Sequence, residues 1–315
     1  MATVLERAPS LGGLSHVARR SYRIVADVPA IPLLILGTLT FVAVFAPVIA
    51  PHRKLTPVKP TPAQCQARFS MTDCPYVDNV PPFWMSGGRL DTPLGTDFLG
   101  RDVLSRLMYG ARISLVVALT GTLFAGAIGT LLGVLAGYMG KWWDQIIMRI
   151  TDAWLTLPSL VFAILLSSVR GPGVWNVVLI LALVFWSRYS RAVRGEVLAL
   201  RERDFVKLAE INGISTRTIV FRHLLPNVMN TVMVLFSLQL GVAVIIEASL
   251  SFLGVGVPPP EPSWGLMMAQ ERESLMDGKW WLAVFPGIGI SMLVLSANML
   301  GDWLRVRLDP QLRNR

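Results

Sequence analysis

The residues best suited to chemistry in this chain are charges, and they gather in one stretch. From Trp186 to Asn227 the sequence reads WSRYSRAVRGEVLALRERDFVKLAEINGISTRTIVFRHLLPN. Glu196, Glu202, Asp204 and Glu210 interleave there with Arg194, Arg201, Arg203 and Lys207. The chemistry open to such a set is ion pairing across a surface. Helical periodicity runs from Arg191 to Ile211, and Gly213 then stops the helix, since glycine takes positive φ at little cost. Ile214-Ser215-Thr216 restarts a segment that ends at Leu225-Pro226. Helix, glycine turn and second helix predict a rigid knob that passes a push between a partner and the elements it hangs from. Lys207, Glu210, Arg217 and Arg222 are placed to pair with that partner as a group, although each taken alone reads first as a solvated charge.

Other constellations are missing. His16, His52 and His223 are far apart, and with Cys65 and Cys74 they form no metal motif, so no metal is expected. No Gly-x-x-x-x-Gly-Lys-Ser/Thr phosphate loop occurs in this chain. Neither His-Glu-x-x-His nor Gly-x-Ser-x-Gly is present, and no enzymatic activity is expected. Cys65 and Cys74 share one polar segment, where they form a disulfide or stand as two free thiols. Glu247 lies inside an apolar run. A charge there is costly, so it faces a translocation path or a bundle partner. It is also placed to reach water at the membrane interface, or to bond Ser249 or Ser251.

The elements that carry these residues are membrane spans. Of the 315 residues, 53% are hydrophobic and only 16% charged, against roughly 25% charged in soluble domains. The apolar residues come in blocks long enough to cross a bilayer, which takes roughly 20 residues. The expected fold is an all-α integral membrane protein with six spans, Ile31–Ala50, Ile113–Met139, Ile150–Val169, Val174–Tyr189, Val228–Leu253 and Trp281–Leu300. Gly121, Ala125, Gly129, Gly133 and Gly137 recur every fourth residue on one face of the second span. Such a face packs closely on another helix, within the chain or in an assembly. Trp142, Trp143, Trp280 and Trp281 stand at span boundaries as interfacial anchors. The net charge of +9 reads as membrane topology rather than nucleic-acid binding, because the basic residues collect in loops on the side of the N-terminus. That side is the cytoplasm, and both termini belong there.

Five segments follow along the chain. Residues 1–29 are cytoplasmic, with Arg19, Arg20 and Arg23 on a surface helix or a basic tail. Residues 30–50 are a retained anchor rather than a cleaved signal. Residues 51–109 are an extracytoplasmic, proline-rich segment holding both cysteines. Residues 110–302 are the transmembrane domain, and 303–315 a cytoplasmic tail.

The loop also carries a resemblance. Lys207-Leu208-Ala209, then Gly213, then His223-Leu224-Leu225-Pro226 is similar to the Glu-Ala-Ala loop of ABC importer permeases. Lys stands for Glu, Leu for the first Ala and His for Ile, while Ala209, Gly213 and Leu225-Pro226 keep the spacing. Gly95-Thr96-Asp97, Leu99 to Arg106, Gly110-Ala111-Arg112, Glu247 to Gly254, Pro262 to Gly265 and Leu300-Gly301-Asp302 resemble dipeptide and oligopeptide permeases. The resemblance covers about residues 90–310 and points to the C-type subunit of peptide and nickel importers. Residues 51–89 depart from the pattern and read as an insertion. The resemblance implies a type I ABC importer permease fold in the cell (inner) membrane, with a cytoplasmic coupling helix. It also implies a homologous second permease forming a heterodimer, two cytoplasmic ATPases and an extracytoplasmic substrate-binding protein. The expected cargo is di- or oligopeptides, with nickel chelates or antimicrobial peptides as alternatives. A stand-alone secondary transporter or channel is the competing reading, but it leaves the charged loop unexplained and normally needs more polar groups near the midplane. A membrane protein whose loop docks a partner without transport is a third.

Overall fold

The computed structural model describes residues 29–60, 65–66, 74 and 76–308. Arg19, Arg20 and Arg23, expected on a surface helix or a tail, lie outside the described residues. Ten helices follow one another among the described residues: α1 (Ala30–Ile49), α2 (Val103–Met139), α3 (Lys141–Thr156), α4 (Ser159–Arg170), α5 (Val174–Arg201), α6 (Asp204–Ile211), α7 (Thr216–Phe252), α8 (Trp264–Gln270), α9 (Arg272–Met276) and α10 (Trp281–Leu308). Five of them, α1, α2, α5, α7 and α10, are long and apolar enough to cross a membrane, and the bent pair α3–α4 makes a sixth crossing if counted as one span.

Several boundaries differ from expectation, each for a local reason. α2 begins at Val103, ahead of Ile113, because the Asp102 carboxylate caps it by accepting the Ser105 N–H at 2.9 Å. Its 37 residues reach about 55 Å, well past a hydrocarbon core of about 30 Å. The expected third span is broken at Leu157-Pro158, and its halves meet at 95°. Leu157 is extended at ψ 128°, because a following proline excludes the helical region, and Pro158 has no N–H to donate back. The fourth span does not stop at Tyr189 but continues as α5 to Arg201, so much of the expected loop helix is the end of a span. The last helix likewise runs on to Leu308.

The bundle is assembled around α5. Its buried Val177, Val178, Leu181, Phe185 and Tyr189 meet buried Leu115, Ala118 and Ala125 of α2. Leu240 and Val244 of α7 and Leu293 of α10 belong to the same core. The small-residue face of α2 packs within the chain. A Cβ at Gly129 would fall 2.3 Å from the Trp186 carbonyl, and one at Gly137 2.8 Å from Val197 Cβ. The glycines thus let α2 and α5 approach backbone to backbone. Large apolar side chains on the opposite faces stay exposed, Leu123, Leu131, Val161, Leu165 and Leu295 among them, as helices bathed in lipid require.

Candidate functional site

The knob at one end of the bundle grows from three sequence features. Arg203 is extended, at φ −73° and ψ 144°, which ends α5 and starts α6 at Asp204. α6 ends in a glycine cap, where Ile214 N–H donates to Ala209 C=O and Gly213 N–H to Glu210 C=O, both at 3.0 Å. Gly213 sits at φ +71° to make that turn. Ser215 then caps the start of α7 by accepting the Thr218 N–H at 3.4 Å. Between Ile219 and Leu224 the first part of α7 widens into a π turn, with Leu225 N–H reaching back to Val220 C=O. Pro226 explains the widening, since its ring would collide with the carbonyl four residues back in a tight α-helix.

α6 has a buried side and a free side. Val206 is 0% exposed and Ala209 5%, and both pack with Val134 of α2, Val193 and Val197 of α5, and Ile219, Leu224 and Val228 of α7. That small core is separate from the bundle core. The free side carries Lys207, Leu208, Glu210 and Ile211, joined by exposed Arg217, Phe221 and Arg222. Lys207 pairs with Glu202 at 2.9 Å. Their hydrogen bond raises the ammonium pKa and lowers the carboxylate. Both partners are well exposed, so water screens the pair. Tyr138 Oη donates to Glu210 at 3.2 Å, tying the knob to the end of α2. Leu225 is half-buried and Pro226 exposed at the start of the apolar part of α7. The structure thus brings Lys207, Ala209, Glu210, Gly213, Arg217 and Arg222 into one knob, with Leu225 and Pro226 at its root on α7. Tyr138 and the inward Val206 were not singled out from the sequence. Val206, Ala209 and Ile219 only align once the turn is built.

Glu247 is elsewhere. It is 0% exposed, in α7, and accepts hydrogen bonds at 2.9 Å from Ser114 of α2 and from Ser251. Ser251 Oγ in turn accepts the Val257 N–H at 3.1 Å. A residue lining a path between two subunits would be exposed in one subunit alone. Glu247 instead joins α2, α7 and the following loop inside this subunit, the bundle-partner alternative of the two places expected for it.

At the end of the bundle away from the knob, residues 51–60 and 76–101 form a cap without helix or strand. Asp97 is its hub. It accepts from Arg101 Nε at 2.7 Å, from Arg106 Nη1 at 2.9 Å and from two backbone N–H groups. Arg106 also donates to Gln270, Phe98 N–H to Glu271, and Lys54 pairs with Glu261 at 2.6 Å. Burial pushes the Glu271 carboxyl above the usual carboxylate range. Cys65 and Cys74, both buried, are placed as a disulfide pair.

With this geometry in place, similarity to known proteins is informative. Residues 129–314 match the family described as binding-protein-dependent transport system inner membrane component. The di/tripeptide transport system permease protein DppC of Pseudomonas aeruginosa is 38% identical over 282 residues, covering 90% of this chain and 88% of the relative. The dipeptide transport system permease protein DppC of Alkalihalophilus pseudofirmus is 34% identical, covering 90% and 85%. The glutathione transport system permease protein GsiD of Pectobacterium atrosepticum is 42% identical over 221 residues, covering 70% and 73%. The apolar helices make the chain a multi-pass membrane protein, and the family is one of transport components rather than enzymes. A knob on a helical bundle, matched over most of its length by permeases, leads to one assignment: the chain belongs to the inner membrane component family of binding-protein-dependent transport systems, as the permease subunit of an ABC importer.

Proposed function

We propose that this permease passes di- and oligopeptides and is driven through the Asp204–Leu224 knob. The observation that carries the reading is the two-sided build of α6. One side is locked by aliphatic contacts to three long helices, and the other offers charged and apolar groups to a partner. A displacement of α6 is thereby a displacement of α2, α5 and α7. The knob faces the cytoplasm with both termini, as the basic loops require, and two ATPases holding ATP and magnesium grip it. A homologous second permease completes the path, and a binding protein delivers cargo to the opposite face. The peptide cargo rests on relatives named for di/tripeptides, dipeptides and glutathione, itself a tripeptide.

The test is reconstitution with the ATPases, second permease and binding protein of the same transport system. Uptake of a dipeptide coupled to ATP hydrolysis is the expected result. Futile hydrolysis without uptake of any peptide would remove the cargo assignment. Absence of ATPase binding to the knob would remove the coupling assignment.

A further inference from the structure

α5 carries three arginines on successive turns, Arg188, Arg191 and Arg194, and the fold treats them differently. Arg191 pairs with Asp152, and Arg194 holds Asp144 through two bonds of 2.9 and 2.6 Å. Both acids come from α3. Arg188 has no carboxylate within ion-pair reach among the described residues. Its Nη1 donates to Gln239 Oε1 at 3.1 Å, and its guanidinium lies 5.6 Å from the centre of the Phe185 ring. Gln239 is 6% exposed, and its Nε2 has no acceptor. This place therefore holds a cation and an amide with more donors than acceptors, where most buried polar groups are paired.

The place also lies between two spans, α5 and α7, that are long and apolar enough to cross a membrane. Gln239 stands about 20 Å along α7 from its far end at Phe252, within a hydrocarbon core of about 30 Å. Arginine keeps its proton in proteins. A half-buried guanidinium without a counter-charge is strongly unfavourable against lipid tails, and such residues face a polar path or a subunit interface. Its planar fork matches a carboxylate. A permanent acid, of the kind that neutralises Arg191 and Arg194, would keep the fork occupied. A fork left open suits an anion that arrives and leaves.

We propose that Arg188, held by Gln239 and Phe185, is a carboxylate-binding point on the translocation path and takes the C-terminal carboxylate of a passing peptide. The assignment rests on the peptide-importer reading above. The chemistry would be shared by a carboxylate of the second permease, so the test separates the two sources.

The complete transporter in vesicles is offered a tripeptide with a free C-terminus and the same tripeptide as its C-terminal amide. Wild type, Arg188→Gln and Arg188→Lys are compared. Arg188→Gln is expected to cut free-acid uptake at least about tenfold and to leave the amide within about twofold of wild type, while Arg188→Lys keeps about a third of the free-acid rate. Equal losses for acid and amide, no loss for either, or equal losses from Gln and Lys would overturn the proposal. A fall in complex yield with Arg188→Gln would give the carboxylate to the second permease and overturn the substrate assignment. A wild-type complex that hydrolyses ATP but imports neither peptide would show that the peptide reading itself had failed, and this assignment with it.

Discussion

The Asp204–Leu224 knob and the cap of residues 51–60 and 76–101 sit at opposite ends of one helical bundle, and different forces hold them. The knob rests on Val134, Val193, Val197, Val206 and Ile219 and turns its charges outward. The cap is knit by a carboxylate hub inside, where Asp97, Arg101 and Arg106 are all buried. Close-packed aliphatic contacts move with the helices beneath them. A buried ion network accepts one geometry, because any unpaired member is left desolvated. The difference teaches where motion is built in. Under the proposed function the knob transmits displacement, whereas the cap fixes the register of α2 against α8.

Breaking the hub should therefore have the largest effect on stability. Asp97→Ala leaves two buried guanidinium groups uncompensated, which costs roughly 3–5 kcal/mol, a fall in Tm of roughly 6–15 °C for a chain of this size. A fall no larger than that of Asp91→Ala, whose partner pairing with Arg89 is at the surface, would end the contrast between cap and knob.

Next comes the crosslink in the cap. If Cys65 and Cys74 are joined in the cell, the small loop they close is worth roughly 2–3 kcal/mol. Cys65→Ser should lower Tm accordingly, and a membrane-impermeant thiol reagent should label wild type only after reduction. Labelling without reduction would remove the bond.

At the knob the decisive quantity is conformation. A Cβ on Gly213 would meet nothing within 4 Å, but the residue sits at φ +71°. Gly213→Val should cost about 1–2 kcal/mol of local strain and uncouple ATP hydrolysis from uptake, with membrane insertion intact. Gly213→Asn, which tolerates positive φ, should retain most coupling. If Asn fails as completely as Val, the space above Gly213 is filled by the docked ATPase, and contact rather than strain governs the site.

Glu271 sharpens the comparison through pH. Its folded pKa lies above the ordinary value because of burial, so the folded state binds its proton more tightly than the unfolded state. Its contribution is most favourable at low pH and is lost as pH rises from about 4.3, the unfolded value, through the raised folded value. Glu271→Gln should flatten that part of the stability profile. An unchanged slope would show that the hub compensates the charge fully.

The smallest effect is expected at Glu247→Gln. Gln keeps an acceptor for Ser114 or Ser251, so uptake should stay within about twofold of wild type. A larger loss of uptake at normal complex yield would return this residue to the path.

Much of this was legible in the sequence, and the reason is physical. Span length and apolarity follow from bilayer thickness, so α1, α2, α7 and α10 could be placed from composition alone. The glycine turn at Gly213 and the proline at Pro226 are local constraints on φ and on backbone hydrogen bonding, and they marked the knob before any packing was known. The 95° break at Pro158 was written in the same chemistry, but the apolar run hid it. What only the tertiary structure decided were partners distant in the chain. Ser114 meets Glu247, Asp144 meets Arg194, and Arg188 finds an amide where its neighbours find acids. Periodicity says which face of a helix a residue occupies. It cannot say which helix lies opposite, and the meaning of a membrane charge depends on that neighbour.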